Sequence, residues 1–130
     1  MTVVKRDSSR VPFDRDKLRQ GLERACWKRQ IDDLQIEALI TQVEQDINLS
    51  FETEVPSQFI GERAMYYLSG LDPVAYVRFA SVYRQFEDAD DFARELQKMR
   101  QYPDIPDLSS EYVPKKKNTL FSKVKRNQEG

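Results

Sequence analysis

The stretch from Val3 to Leu18, VVKRDSSRVPFDRDKL, determines how the rest of this chain is organised. Its two consecutive valines are β-branched and predict a short strand. Turn-forming residues follow, and the segment from Arg10 to Phe13 predicts a return strand that Pro12 confines to an edge or to the strand's end. Asp14 is placed to cap the N-terminus of a helix. The stretch therefore predicts a β-hairpin that leads into a helix.

Three cations of this stretch come close together in the predicted arrangement. Lys5 and Arg6 end the first strand, and Lys17 falls in the first turn of the helix. Cationic side chains beside a helix N-terminus can bind the phosphates of a ligand. Solvated charges on a hairpin edge, where Lys and Arg discourage aggregation, also explain this ordinary pattern. The stretch alone leaves both interpretations open.

Length and composition narrow the class of protein. The 130 residues suffice for one domain with a modest core, and a net charge of −1 gives no global attraction to nucleic acid or anionic membrane. The sequence contains no histidine and one cysteine, Cys26, which argues against a histidine base, an internal disulfide and a cysteine-based zinc site. No apolar run suits a membrane span or a signal peptide. We expect a cytoplasmic protein that is not an enzyme.

Apolar periodicity predicts four helices after the hairpin. The first covers residues 14–28 and carries Cys26 on its apolar stripe as a core residue. The second covers residues 33–48 and is followed by a loop over residues 49–56. Ser57 is placed as the N-cap of the third helix, and a proline opens the fourth. One or two amphipathic turns continue to residue 99.

Two features of the last two helices predict close packing. Gly61 costs up to about 1 kcal/mol relative to Ala in a helix, so a neighbouring helix or a ligand is expected close to its backbone. The fourth helix carries an aromatic stripe, formed by Tyr76, Phe79, Tyr83 and Phe86. Such stripes usually belong to the core, although tyrosine hydroxyls can reach a ligand.

The composition changes after residue 100. Prolines interrupt a polar stretch and a cluster of lysines follows, so residues 101–130 are predicted to be a poorly ordered, basic tail. Such a tail either makes salt-sensitive phosphate contacts or only increases solubility, and the sequence leaves both open.

Three segments together resemble the ATP-cone domain: VVKRDSSRVPFDRDKL, EVPSQFIGERAM and DPVAYVRFASVYRQFED. The form is similar to that of the NrdR repressors of bacterial ribonucleotide reductase genes, over about residues 2–99. The resemblance implies a mainly α (α+β) fold, with a small N-terminal β-hairpin packed on a four-helix bundle over residues 1–100. It also implies that ATP or dATP binds as an allosteric signal and is not hydrolysed.

The resemblance implies particular nucleotide-binding positions. Lys5 and Arg6 match the family's phosphate-binding pair, and Ser57 matches a hydroxyl that caps the helix facing the phosphates. The full set lies on the first strand, the hairpin and three helices: Val3, Val4, Lys5, Arg6, Lys17, Ser57, Tyr76 and Tyr83. The resemblance admits Mg²⁺ as a companion of the triphosphate and predicts no metal site and no zinc in this chain.

The chain departs from the family's pattern at three places. One is Val11, where the family usually has an acidic residue before Pro-Phe-Asp, a partner for the adenine amino group. Ser8 stands where the family usually has Gly, which is tolerable if the turn needs no positive φ. The family's repressors also carry a zinc ribbon ahead of this domain, and the chain begins where that ribbon would end. We therefore expect DNA contact only through a missing ribbon, or non-specifically through the basic tail.

These observations lead to two functional hypotheses. The first is a regulatory domain of the repressor type that senses ATP or dATP and changes its oligomeric state, as a homo-oligomer without membrane partners. The alternative is a ribbonless protein-interaction module in which nucleotide binding is weak or lost. Nucleotide titration separates the two hypotheses.

Overall fold

The computed structural model of the chain describes residues 1–102. These residues form three short strands and five helices: β1 Thr2–Val4, β2 Arg10–Pro12, α1 Arg15–Ala25, α2 Asp33–Ser50, β3 Glu54–Pro56, α3 Ser57–Leu71, α4 Pro73–Tyr83 and α5 Ala89–Arg100. A small sheet at the N-terminus packs against a mostly helical body. The predicted mainly α (α+β) fold with an N-terminal hairpin is confirmed.

The sheet has the strand order β2-β1-β3, so the first strand of the chain lies at its centre. β1 pairs with β2 in antiparallel register, with Val3 opposite Val11. It pairs with β3 in parallel register, with Val3 opposite Val55 and Val4 opposite Pro56. The predicted hairpin is confirmed. Pro12 ends an edge strand, where the sheet needs no hydrogen bond from its backbone nitrogen.

β3 lies inside the segment 49–56, for which the sequence predicted a loop, and that prediction is wrong. α2 continues to Ser50, and the three residues of β3 are too few to display an alternating pattern. Their order comes from pairing with β1, about 50 residues earlier in the chain. A partner so distant leaves no local signal in the sequence.

The core lies between the helices and beneath the sheet. Leu22 of α1, Met65 of α3 and Tyr76 of α4 are fully buried. The apolar stripe predicted for the second helix is buried as expected, at Ile36, Leu39, Ile40, Val43 and Ile47. The 3.6-residue periodicity of that helix therefore identified its inner face correctly.

Aspartates cap four of the five helices at their N-termini, and two of these caps bear on the predictions. Asp14 caps α1 as predicted, because its Oδ1 accepts hydrogen bonds from the amides of Asp16 (3.0 Å) and Lys17 (3.3 Å). Asp72 caps α4 in the same way, accepting from two amides of its first turn at 2.8 and 3.0 Å. Pro73 is the first residue of α4, as predicted.

α1 ends at Ala25, before the predicted end at Lys28, whose φ of 61° is left-handed. Arg78 of α4 donates hydrogen bonds to the carbonyl oxygens of Ala25 (3.3 Å) and Trp27 (2.7 Å). The guanidinium thus satisfies carbonyls that the end of a helix leaves without amide partners. Cys26 is buried here as predicted, and burial raises the pKa of its thiol to about 11.

Ser57 is the first residue of α3 and not its N-cap, so that prediction is wrong by one position. Pro56 occupies the N-cap and offers no side-chain hydrogen bond to the helix. Pro56 also closes the pairing with β1, which fixes it in extended backbone. The first amides of α3 therefore lack a side-chain cap.

α5 is a helix of 12 residues, longer than the one or two turns predicted. Gln85, with a φ of 56°, separates it from α4, and Asp88 caps its N-terminus. After α5 the ring of Tyr102 packs edge-on against Tyr66 and Tyr76, with centroids 5.4 and 6.2 Å away. These contacts join the end of the described chain to α3 and α4.

The predicted basic tail, residues 101–130, lies outside the described residues apart from its first two positions. The proposed domain boundary at residue 100 stays a prediction. Within residues 1–102, none of the helices has both the length and the apolar character needed to cross a membrane.

Candidate functional site

An open depression of about 430 Å³ lies where the hairpin tip meets α3 and the end of α4. Its lining consists of Lys5, Arg6, Asp7, Ser57 and Tyr83. Four of these five belong to the predicted nucleotide-binding set. The parallel register of β1 and β3 explains the convergence, because the residues that follow each strand emerge side by side.

The hairpin tip is a tight, internally bonded turn. The amide of Lys5 donates to the carbonyl of Ser9 (2.8 Å), and the amide of Ser8 donates to the carbonyl of Lys5 (2.9 Å). Asp7 Oδ1 accepts from both the hydroxyl and the amide of Ser9, which lowers the pKa of that carboxyl. Ser8 has a φ of 72°, so the turn does need a positive φ and the condition for tolerating Ser8 without strain is not met.

Tyr83 connects the tip to α3. The Arg6 guanidinium carbon lies 5.0 Å from the centroid of the Tyr83 ring, within the range of a cation–π contact. The Tyr83 hydroxyl donates to the carbonyl oxygen of Gln58 in the first turn of α3 (3.1 Å). A Cβ at Gly61 would lie only 2.2 Å from Tyr83 Cε1. Of the two explanations for Gly61, the neighbouring helix is therefore the one that the structure confirms.

The charges of the depression favour an anion. Among the described residues, neither Lys5 nor Arg6 forms an ion pair with a carboxylate, whereas Arg15 and Arg19 of α1 both pair with Glu37 of α2. The uncapped start of α3 adds amide donors and the positive end of the helix dipole. Two cations that form no ion pair within residues 1–102, with Asp7 as the one carboxylate in the lining, stand beside such a terminus and provide the donors that a phosphate chain needs.

Lys17 lies in a second depression, with residues 11–16. It precedes Gly21 by four residues, and a Cβ at Gly21 would lie 3.6 Å from Phe79 of α4. Residues four apart share a helix face, so Lys17 projects from the side of α1 that faces α4. Phe79 in turn stacks on Tyr83, with ring centroids 6.4 Å apart. Lys17 does not line the first depression, so the structure does not bring it together with Lys5 and Arg6 there.

The remaining predicted positions lie deeper in the protein. Val3 is buried at the centre of the sheet, and Val4 is half-buried opposite Pro56. Tyr76 is fully buried, and its hydroxyl donates to Glu95 across 2.5 Å. The structure thus places Tyr76 in the core, away from the surface that Lys5 lines.

Sequence reasoning missed a buried polar cluster next to the depression. Arg84 follows Tyr83 directly, and its Nε lies 2.7 Å from Glu95 Oε1, while Nη2 lies 3.0 Å from Glu62 Oε2. Burial acts to lower the pKa of Arg84, but the two carboxylates outweigh it and raise that pKa. A signal was present in the sequence, since Glu95 interrupts the apolar face of α5 between Phe92 and Met99.

Metal-ligating side chains do not cluster in this part of the chain. Within residues 1–102, no group of three or more His, Cys, Asp or Glu is arranged to hold a metal ion. The depression itself contributes a single carboxylate, Asp7, which is engaged by Ser9. Its donor set suits an anion rather than a bare cation.

Comparison with known protein families gives the class of protein to which this fold belongs. The family described as ATP cone domain matches residues 1–89, and the chain belongs to that family. The predicted resemblance is confirmed. The assignment of individual residues to nucleotide stays a prediction.

The chain is also similar to curated proteins named transcriptional repressor NrdR. It is 51% identical to the one from Syntrophus aciditrophicus over 104 residues, which cover 80% of this chain and 65% of that protein. Identity is 50% over 90 residues with the Rhodopirellula baltica protein (69% and 58% covered) and 52% over 97 residues with the Acetivibrio thermocellus protein (75% and 64%). The chain thus spans less than two thirds of the length of these relatives.

Proposed function

We propose that the depression binds the triphosphate of ATP or dATP, and that the bound nucleotide acts as an allosteric signal. The observation that supports this most directly is the position of Lys5 and Arg6, without carboxylate partners among the described residues, beside the uncapped start of α3. Membership of the ATP-cone family supports the choice of ligand. Lys17 and the backbone of β1 would then lie toward the nucleoside.

The chemistry of the proposed site is binding and not turnover. Hydrogen bonds between charged partners contribute about 1.5–3 kcal/mol each, so two cations and a helix terminus suffice for a triphosphate. The chain has no histidine to act as a general base. Mg²⁺ would arrive with the triphosphate, held by the phosphate oxygens.

The proposed consequence is a change in association between copies of the chain. ATP and dATP would favour different packings of this domain, and each packing a different oligomer. The names of the relatives support a role in repressing transcription, which would take place in the cytoplasm. Such a sensor has to distinguish ATP from dATP.

The test is calorimetric titration with ATP and with dATP, combined with a mass measurement in each state. We expect both nucleotides to bind, and the double variant Lys5→Ala/Arg6→Ala to bind at least about tenfold more weakly while remaining folded. Lys98→Ala/Arg100→Ala is the matched control, because it removes one exposed Lys and one exposed Arg from the last turn of α5.

The outcomes discriminate between the two hypotheses. Equal affinity of the folded double variant and the unaltered chain would remove Lys5 and Arg6 from the site. No binding of either nucleotide would refute the proposal and favour the interaction-module alternative. If nucleotide binds but the mass of the protein stays unchanged, the proposed site stands and the proposed change in oligomeric state is wrong.

A further inference from the structure

We infer that Tyr83 is a positioning residue, which holds the Arg6 guanidinium beside the start of α3 and does not itself bind the ligand. The inference rests on the proposed function and deepens it, because it assigns the geometry of the phosphate site to a contact between the hairpin and α4. The inference depends on the coupling of the hairpin tip to Tyr83, and this coupling can be tested without any ligand.

The polar and apolar surfaces of Tyr83 are already used within the protein. Its hydroxyl donates to the Gln58 carbonyl oxygen (3.1 Å), and its edge lies against the backbone of Gly61. One side of the ring faces Arg6 at 5.0 Å, and Phe79 stacks on it with an interplanar angle of 18°. The hydroxyl, one edge and a face of the ring therefore each have a partner within the protein, and the ring lines the depression beside Arg6.

The contact with Tyr83 leaves Arg6 competent to bind phosphate. A guanidinium packs on an aromatic ring through its face, while its five N–H donors lie in the plane around the edge. Arg6 can therefore lie over Tyr83 and still offer paired donors to phosphate oxygens. Lys5, its neighbour, has no such aromatic support among the described contacts and provides a compact charge instead.

Gly61 completes the arrangement. The three atoms nearest to a Cβ at this position all belong to the Tyr83 ring, at 2.2, 2.5 and 2.8 Å. Any side chain larger than hydrogen would displace the ring from α3, and with it the support for Arg6. The glycine and the tyrosine thus act together to set the distance between the tip and α3.

The first test measures amide hydrogen exchange of the ligand-free chain. Tyr83→Leu should accelerate exchange of the Lys5 and Ser8 amides, which close the tip, roughly fivefold, the size expected for an exposed cation–π contact. Tyr83→Phe keeps the ring and should leave these two amides close to their original rates. Trp27→Leu is the matched control, because it removes an exposed ring that also faces a cation, Lys28 at 4.8 Å.

Arg6→Ala gives the same information from the exposed side of the contact, where the substitution cannot disturb the core. It should accelerate the same amides by a similar factor. If neither Arg6→Ala nor Tyr83→Leu changes these rates, Tyr83 does not hold the tip and the inference is wrong, whatever the chain binds.

The second test compares ATP with adenosine, which lacks phosphates. Tyr83→Leu should lower ATP affinity roughly fivefold with adenosine affinity unchanged, and it should cause no further loss in the Arg6→Ala background. Equal losses for ATP and adenosine would mean that Tyr83 contacts the nucleoside, which overturns the inference. If the unaltered chain binds neither compound, the proposed function fails, and the exchange experiment alone decides whether Tyr83 positions Arg6.

Discussion

The hydroxyl of Tyr76 donates a 2.5 Å hydrogen bond to the carboxylate of Glu95, and both side chains are almost completely shielded from solvent. This bond links α4 to α5 across the interior. Burial, together with the hydrogen bond to Glu95, raises the pKa of the Tyr76 hydroxyl well above its ordinary value. The tyrosine therefore keeps its proton and serves as a permanent donor to the carboxylate.

Removal of that donor should destabilise the protein. Tyr76→Phe leaves Glu95 buried with Arg84 as its remaining close partner within residues 1–102, and we expect a loss of about 1–3 kcal/mol in the free energy of unfolding. Urea denaturation measures this value. Tyr83→Phe is the control, since its half-exposed hydroxyl bonds a carbonyl that water can reach, and it should cost less. Equal costs would argue against a special role for the Tyr76–Glu95 bond.

The effect of Gly61→Ala should change sign with the residue at position 83. With Tyr83 present, the new methyl group overlaps the ring, and we expect destabilisation of about 1–3 kcal/mol. In a Tyr83→Ala background the space is empty, and the higher helix propensity of Ala should stabilise by up to about 1 kcal/mol. Thermal or urea unfolding of the four variants measures this cycle. Destabilisation of the same size in both backgrounds would show that Gly61 serves some other contact.

Ser8→Gly should stabilise the hairpin. A residue with a side chain is strained at the φ of 72° found here, and glycine is not, while glycine increases the entropy of the unfolded chain. We expect a net gain of about 0.5–1 kcal/mol in the free energy of unfolding. Ser9→Gly is the control, because it removes the Ser9–Asp7 bond and relieves no strain, and it should be neutral or destabilising. A loss of stability in Ser8→Gly would contradict the prediction.

Acid should weaken the junction between α3 and α4. Burial acts to raise the pKa of Asp72, but hydrogen bonds from the amides of Ala75 and Val74 and from Arg29 outweigh it, so that pKa is lowered. A carboxyl whose pKa falls on folding stabilises the protein above its unfolded pKa of about 4 and loses that contribution as the pH falls further.

The measurement is the free energy of unfolding of the unaltered chain minus that of Asp72→Asn, as a function of pH. The difference should be largest above about pH 5 and should shrink as the pH falls through the lowered pKa. Glu23→Gln, at an exposed position of α1, should follow the unaltered chain at every pH. A difference that stays constant on acidification would mean that the charge of Asp72 contributes nothing.

Local signals in the sequence predicted most of the fold. The cap at Asp14, the proline that opens α4 and the stripe of α2 depend only on neighbouring residues, and all three are found where expected. β3 depends on a strand about 50 residues away and has no such signal. Ser57 was misplaced by one position because its preference for the N-cap is only statistical, whereas the pairing of Pro56 with β1 is decisive.

The candidate site was predictable in part for the same reason. The Lys5–Arg6 pair is recognisable in the sequence. Gly61 predicts a close neighbour but does not identify it. That the neighbour is Tyr83 follows only from the packing of α4 on α3. Tyr76 and Tyr83 look alike in the aromatic stripe, yet one belongs to the core and the other to the surface.

The parallel register that sets Val4 opposite Pro56 also has a consequence for folding. The depression is assembled from two ends of a loop of about 50 residues, which includes both α1 and α2. Closing such a loop costs entropy, and contacts this distant in sequence form late in folding. Detachment of β3 alone would abolish the depression and leave the helices intact. A ligand that bridges Lys5 and the start of α3 would therefore act as a reversible cross-link of that loop, and its occupancy would be visible as slower local opening of the sheet.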